Sequence, residues 1–195
     1  MAISSNVSEF LQKIRQGVKP NMFKVSLNFP GTLKLTADDQ DLTDLLCKSA
    51  ALPASNLGVI EVPFRGRTVK IAGDRTFDTW TATFVNDQDM KIRGLFENWL
   101  NQINSHADNT AGLVAPSAVT GYMAQIKVDQ LEKDAVALDT SANVVRGYTL
   151  HHAFPTSVSQ IDLAYDSNDQ VSEFTVEFQL SYWTADAASG VPAIA

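Results

Sequence analysis

A single cysteine, Cys47, in 195 residues excludes an intrachain disulfide and a cysteine metal cluster, and reads as a small buried hydrophobe. Basic residues are also short, with 15 Lys and Arg against 22 Asp and Glu, for a net charge of −7. Gripping phosphate needs clustered cations, so the chain is a poor candidate for holding DNA or RNA, although it can lie beside a polyanion without adhering. No apolar run approaches the ~20 residues of a membrane helix. Met1–Asn6 carry neither a basic n-region nor an apolar h-region, so no membrane anchor is expected. Charged residues make up 19 %, below the usual ~25 %, the direction expected where surface is reserved for copies of the same chain.

Chemistry is short as well. His151 and His152 are strand neighbours whose rings should point to opposite faces and so cannot share a metal, and His106 stands in a loop. Asp166-Ser167-Asn168-Asp169 starts like a calcium loop, but Val171 stands where the sharp turn needs glycine and Glu177 falls inside a strand. The acidic stretch Asp38 to Asp44 reads as a solvated loop. Arg65, Arg67, Lys70 and Arg75 form a basic patch around a hairpin, without the interleaved aromatics of a nucleic-acid site. Salt bridges to acids of a neighbouring subunit are its natural use. Nucleophile elbow, P-loop, dinucleotide fingerprint and H-E-x-x-H are all missing, and no catalytic, cofactor-binding or metal residue is assigned.

What is present is β-rich, in a length that suits one domain burying roughly 70 % of its unfolded surface. Val7, Phe10, Leu11 and Ile14 share one face of a helix over about 5–16, with Asn6 and Glu9 as a capping box. Phe23, Val25, Leu27 and Phe29 alternate along a strand that turns at Pro30-Gly31, and Leu42–Ala51 reads as one or two helical turns. Residues 58–64 and 67–72 form a hairpin turning at Gly66, and Gly73-Asp74 turns into a strand over Phe77–Val85. Ile92, Leu95, Phe96, Trp99, Leu100 and Ile103 trace the apolar stripe of a helix from Asp87 to Ile103, capped by Asn86 or Asp87. Further strands follow at Tyr122–Leu131, Val144–Phe154 and Val171–Trp183, separated by a loop over 104–120 and a mixed segment over 132–143. Six or seven strands with one strong helix and no βαβ series give an antiparallel barrel or sandwich with a packed amphipathic helix.

The polar strand faces are built from short side chains: Ser26, Asn28, Thr79, Thr81, Thr83, Thr175, Glu177, Gln179 and Ser181. Such a wall is smooth and hydrated. The pattern alone equally describes the ordinary solvent face of a sheet.

Four stretches resemble the tail tube protein family of T-even-type contractile-tailed bacteriophages. These are Phe10-Leu11 through Pro20-Asn21-Met22-Phe23-Lys24-Val25; Leu52-Pro53 through Val59 to Arg67; Gly73-Asp74-Arg75-Thr76-Phe77 with Trp80-Thr81, Asn86-Asp87 and the Ile92–Trp99 helix; and Ala153-Phe154-Pro155-Thr156, Ile161-Asp162-Leu163, Phe174-Thr175-Val176 and Tyr182-Trp183. The resemblance spans nearly the whole chain as a single domain over 1–195. It departs most over Ser105–Asn143, an elaborated loop region.

The resemblance implies a virion structural protein, assembled in the host cytoplasm, and not an enzyme. Six copies would close a ring whose strands join into one barrel around a channel. Rings would stack into a tube inside a contractile sheath, with the tail sheath protein, baseplate and tail terminator proteins as partners. DNA would pass down the lumen without specific binding. Thr175, Glu177, Gln179 and Ser181 are the expected lumen-facing residues. Asp38, Asp39, Asp41, Arg65, Arg67 and Arg75, with the loop Asp38–Gly58 and both chain ends, are expected between subunits or stacked rings. Two alternatives stay open: the tube of a type VI secretion system, tailocin or extracellular injection device, and a monomeric ligand-binding β-barrel.

Overall fold

The structure is a computed structural model that describes residues 7–14, 17–33, 36–112, 121–132, 144–168, 170–188 and 191–194. The expected Asn6 cap and the segments 113–120 and 133–143 lie outside the described residues.

The helices are α1 (Val7–Ile14), α2 (Ala37–Leu45) and α3 (Lys91–Ile103). The strands are β1 (Phe23–Asn28), β2 (Cys47–Ala50), β3 (Asn56–Phe64), β4 (Arg67–Thr76), β5 (Trp80–Val85), β6 (Ala124–Leu131), β7 (Val144–Val158), β8 (Glu173–Gln179) and β9 (Tyr182–Ala185). The main sheet runs β1-β6-β7-β8-β5-β2 with β9 also on β7, and β3 and β4 form a separate two-stranded sheet. Every pair is antiparallel. The fold is therefore the mainly β, sandwich-like class that the alternation implied, although among the described residues β1 and β2 end the path without closing a barrel.

Alternation decides which faces are buried. Trp80, Ala82 and Phe84 on β5 and Phe174, Val176 and Phe178 on β8 are buried, and so are Val25, Leu27, Ile126, Val128 and Leu150 from the other half of the sheet. Helix α3 lays Ile92, Phe96 and Trp99 into that space, all with no exposed surface. Phe96 sits at its centre, 5.1 Å from Phe84, 5.9 Å from Phe178 and 6.1 Å from Phe174. The buried indoles keep their donors satisfied, Trp99 Nε1 donating to the Tyr122 carbonyl at 2.9 Å and Trp80 Nε1 to that of Ala51 at 2.6 Å. These aromatic rings occupy the space where a ligand-binding barrel would hold its cavity.

Several local expectations are corrected. The acidic stretch is not a solvated loop but the body of α2, because Thr36 caps it: Thr36 Oγ1 accepts from the Asp39 N–H at 3.3 Å and Asp39 Oδ2 accepts from the Thr36 N–H at 3.1 Å. The helix stops at Leu45, and Cys47–Ala50 pair with β5 instead of continuing it. Strand β4 runs through Gly73-Asp74 to Thr76 without turning there. At the start of α3 the capping position falls on Met90, in the left-handed region at φ 53°, while Asp87 Oδ1 still accepts from the Ile92 N–H at 3.4 Å.

The last strand is the most informative case. It breaks at Leu180-Ser181 into β8 and β9, yet the register on β7 carries across the break, with Phe154 opposite Gln179 and His151 opposite Tyr182, and shifts only further along the β7–β8 pair, between Pro155 and Ser157. The break faces His152, whose φ of 56° bends β7, and the Ser181 N–H bridges it by donating to the His151 carbonyl at 3.1 Å. The same bend defeats strict alternation. Both His151 and His152 reach Tyr182, at ring distances of 4.6 and 5.8 Å.

Candidate assembly surfaces

Three surfaces receive the residues singled out in the sequence. The first is the outward face of β8 and its neighbours. Phe174, Val176 and Phe178 point inward, so Glu173, Thr175, Glu177 and Gln179 point outward. Thr175 lies opposite Thr83, and Glu177 lies between Thr81 on β5 and Ser157 on β7. The Thr83 and Thr175 hydroxyls are 3.2 Å apart. Thr83 in turn lies opposite Ser49 on β2. Hydroxyls and one free carboxylate dominate this wall. Its one lysine, Lys48, is tied to Glu173 at the margin. Ser181 is exposed but lies at the bend between β8 and β9, outside the strand that carries the other three.

The second surface is the β3–β4 hairpin. Arg65 at φ 46° and Gly66 at φ 80° make the two-residue turn, in which glycine relieves the second left-handed position. Ile60 pairs with Ile71, Val62 with Val69, and Phe64 with Arg67, which puts these six residues on one face. The other face carries Glu61 opposite Lys70, an ion pair at 3.2 Å, and Pro63 opposite Thr68. The pattern is that of a strand pair with a core to cover, but the apolar face is bare. Ile60, Val62, Phe64, Val69 and Ile71 are 51, 43, 62, 50 and 48 % exposed. At about 3.3 Å per residue the arm reaches some 30 Å.

The expected basic patch divides here. Arg65 and Arg67 are at the tip, whereas Arg75 pairs with Leu57 near the base, roughly 25 Å away along the strand. The Arg65 guanidinium lies 5.4 Å over the Phe64 ring. The uncovered apolar face escaped the sequence reading, because alternation in Val59–Phe64 looks the same whether or not a core lies beneath it. The surplus of apolar residues in an arm without a third strand was the available signal.

The third surface is α2. Asp39 is spent on the cap, and its two bonds to Thr36 hold its carboxyl below the usual range. Asp38 lies in the first turn, and Asp41 is exposed. Asp44 is half-buried and accepts the Leu27 N–H at 3.2 Å; burial raises its pKa despite that bond. Burial likewise pushes the Cys47 thiol up to about 12, although Cys47 packs at the edge of the core and is partly rather than fully buried, short of the buried hydrophobe expected. Among the described residues no group of three metal-ligating side chains occurs, and no helix is long and apolar enough to cross a membrane.

Residues 18–186 match the family described as phage tail tube protein. The chain belongs to that family. It is 32 % identical over 165 residues to the tail tube protein gp19 of Enterobacteria phage T4, covering 85 % of this chain and 90 % of that one. It is 27 % identical over 180 residues to the tail tube protein of Serratia phage KSP90, covering 90 % and 94 %. Among solved structures, a chain of the sheath–tube complex of the PVC extracellular contractile injection system shares the fold with a TM-score of 0.56 at 15 % identity, over 95 % of this chain and 100 % of that one. A chain of the anti-feeding prophage baseplate gives a TM-score of 0.56 at 16 % identity, over 85 % and 92 %.

Proposed function

We propose that this chain is the structural subunit of the inner tube of a contractile phage tail, a component of the virion with no catalytic role. Six copies close each ring, and rings stack into a hollow tube that conducts the genome once the sheath contracts. Membership of the tail tube family supports this reading. The observation that carries it is the bare face of Ile60, Val62, Phe64, Val69 and Ile71. An isolated two-stranded hairpin is marginal in water, so an arm of this length is stable only when its face is covered. Further copies of the chain supply that cover and pair the open edges at β1 and β2, which would otherwise invite aggregation.

The outward wall of Thr175, Glu177 and Gln179, with Ser181 at its rim, lines the channel. It presents hydroxyls, amides and negative charge, so phosphates within about 8–10 Å are repelled at physiological salt and the genome slides. Asp38, Asp39, Asp41, Arg65, Arg67 and Arg75 lie between subunits or rings. The sheath protein surrounds the tube, and baseplate and terminator proteins bound its ends, in keeping with sheath–tube, baseplate and terminator assemblies that contain chains of the same fold. Sedimentation of the purified protein tests the reading: rings or longer polymers are expected, and a strictly single species at every concentration refutes it.

The same fold in extracellular injection devices favours a second reading, a tube that delivers cargo other than a genome. Capsid and terminase genes beside the coding sequence decide for the phage; their absence decides for the device.

A further inference from the structure

Strand β9 ends at Ala185, and the chain then folds back on it. Ala185 and Ile194 exchange both backbone hydrogen bonds, at 2.9 and 2.8 Å, and Ala188 and Val191 do the same at 3.0 and 2.9 Å. Residues 191–194 therefore lie as a strap beside the end of β9. The two edges of that strand are held differently. Toward β7, the Asp186 N–H donates to the Gly147 carbonyl at 2.9 Å, the Trp183 ring meets Tyr148 at 5.7 Å, and Asp186 reaches Lys127 at 3.9 Å. Backbone groups alternate in direction along a strand, so the N–H and carbonyl of Ala185 point to the opposite, free edge. Among the described residues no strand other than β7 pairs with β9, and on the free edge Ala185 meets the strap.

The strap is lightly held. Ala185 is buried, but all four strap residues are exposed, so the contact rests on backbone bonds at the two ends of the strap and little on side-chain burial. Pro192 brings no N–H, so the strap itself offers an interrupted ladder to any further strand. An unpaired strand edge is a template for an extended segment of another chain, and covering it or placing proline there blunts it. The strap does both.

We propose that residues 191–194 are an autoinhibitory strap, which occupies the free edge of β9 in the unassembled chain and holds back a strand of a second copy that would otherwise pair there. The inference rests on the tube reading and adds a restraint to it. Being part of the same chain, the strap competes for the edge at a high effective concentration. Burying little, it gives way to a neighbour that is held by other contacts as well. Premature pairing between free chains is suppressed, and growth on an existing assembly is not. The family match ends at residue 186, so the strap begins directly after the matched part.

Loosening and locking the strap test it in the full-length chain, with the protein concentration at half-maximal polymer read by pelleting without baseplates. Val191→Pro/Ile194→Pro removes both strap N–H donors at exposed positions. It is expected to polymerise at about one-tenth of the wild-type concentration, the factor for a strap closed in roughly nine molecules of ten. Ala185→Cys/Ile194→Cys, made with Cys47→Ala, locks the strap, because a hydrogen-bonded antiparallel pair has its Cα atoms about 5.5 Å apart, within disulfide reach. The oxidised form is expected to need about tenfold more protein than the same sample after reduction. A cysteine pair that does not close on oxidation overturns the strap. So does an oxidised form that polymerises like the reduced one, or a proline variant no readier than wild type, and the tube reading then still stands. If no form pellets, even with baseplates added, the tube reading fails and the strap's role with it.

Discussion

Ile60 stands directly opposite Ile71 across the β3–β4 hairpin, and both remain about half exposed, at 51 and 48 %. A cross-strand aliphatic pair of this kind normally covers a core. Here it covers nothing among the described residues, and in the proposed tube its burial would come from a neighbouring copy.

Replacing both by serine is therefore expected to leave the monomer's stability within about 1 kcal/mol, because little buried apolar area is lost on the single chain. Assembly should fall severely. Thermal melting and pelleting of the same Ile60→Ser/Ile71→Ser sample separate the two effects; a large drop in melting temperature would place the pair in the monomer's core.

Phe96→Ala is the converse case. Its ring is fully buried among Phe84, Phe174 and Phe178, so truncation should cost about 3–5 kcal/mol in urea unfolding. A loss under 1 kcal/mol would contradict the packing described for α3.

Gly147 on β7 is clasped by two carboxylates. A Cβ there would meet Asp129 Oδ1 and Asp186 Oδ2, each at 2.5 Å, with the Lys127 stem at 3.3 Å. Gly147→Ala is expected to destabilise by about 1–3 kcal/mol. Asp186 is the more exposed of the two acids, at 59 % against 12 % of side-chain surface, so adding Asp186→Ala should recover part of the loss. Equal stability of the glycine and alanine proteins would remove the steric argument.

His151 lies between the Tyr182 ring and Thr184 Oγ1, the latter at 2.9 Å from Nε2, and burial followed by the neighbouring His152 lowers its pKa. A histidine whose folded pKa is depressed binds protons more readily when unfolded. Its contribution therefore favours folding above the unfolded value of about 6.5 and turns against it as pH falls below that value. The urea midpoint should drop between pH 7 and pH 5, and the drop should shrink in His151→Phe. An unchanged drop would assign the pH response to other groups.

Much of the fold was legible because burial in β5, β6, β8 and α3 follows simple periodicity: Trp80, Ala82 and Phe84 alternate, and Ile92, Phe96 and Trp99 recur at helical spacing. The misread elements depend on backbone events that side-chain pattern does not encode. Thr36 converts an acidic stretch into a capped helix, and the positive φ of His152 bends β7 and interrupts its partner at Leu180-Ser181. For the surfaces, composition revealed a polar strand face with no basic residue among those named. It could not reveal that the hairpin's apolar face is bare, because exposure depends on what the arm fails to touch.

The channel assignment has its own test in assembled phage. Glu177 is exposed on the outward face of β8, and Glu177→Lys changes the wall from repelling to attracting phosphate. Tubes should form normally and DNA release should slow or stop. Normal release kinetics with the lysine in place would move the channel to another face.

Negative-stain electron microscopy of the purified wild-type chain at high concentration tests the central claim most directly. Hollow rings or rods are the expected image. Isolated particles the size of one chain, persisting even when baseplates are supplied to nucleate growth, would contradict it.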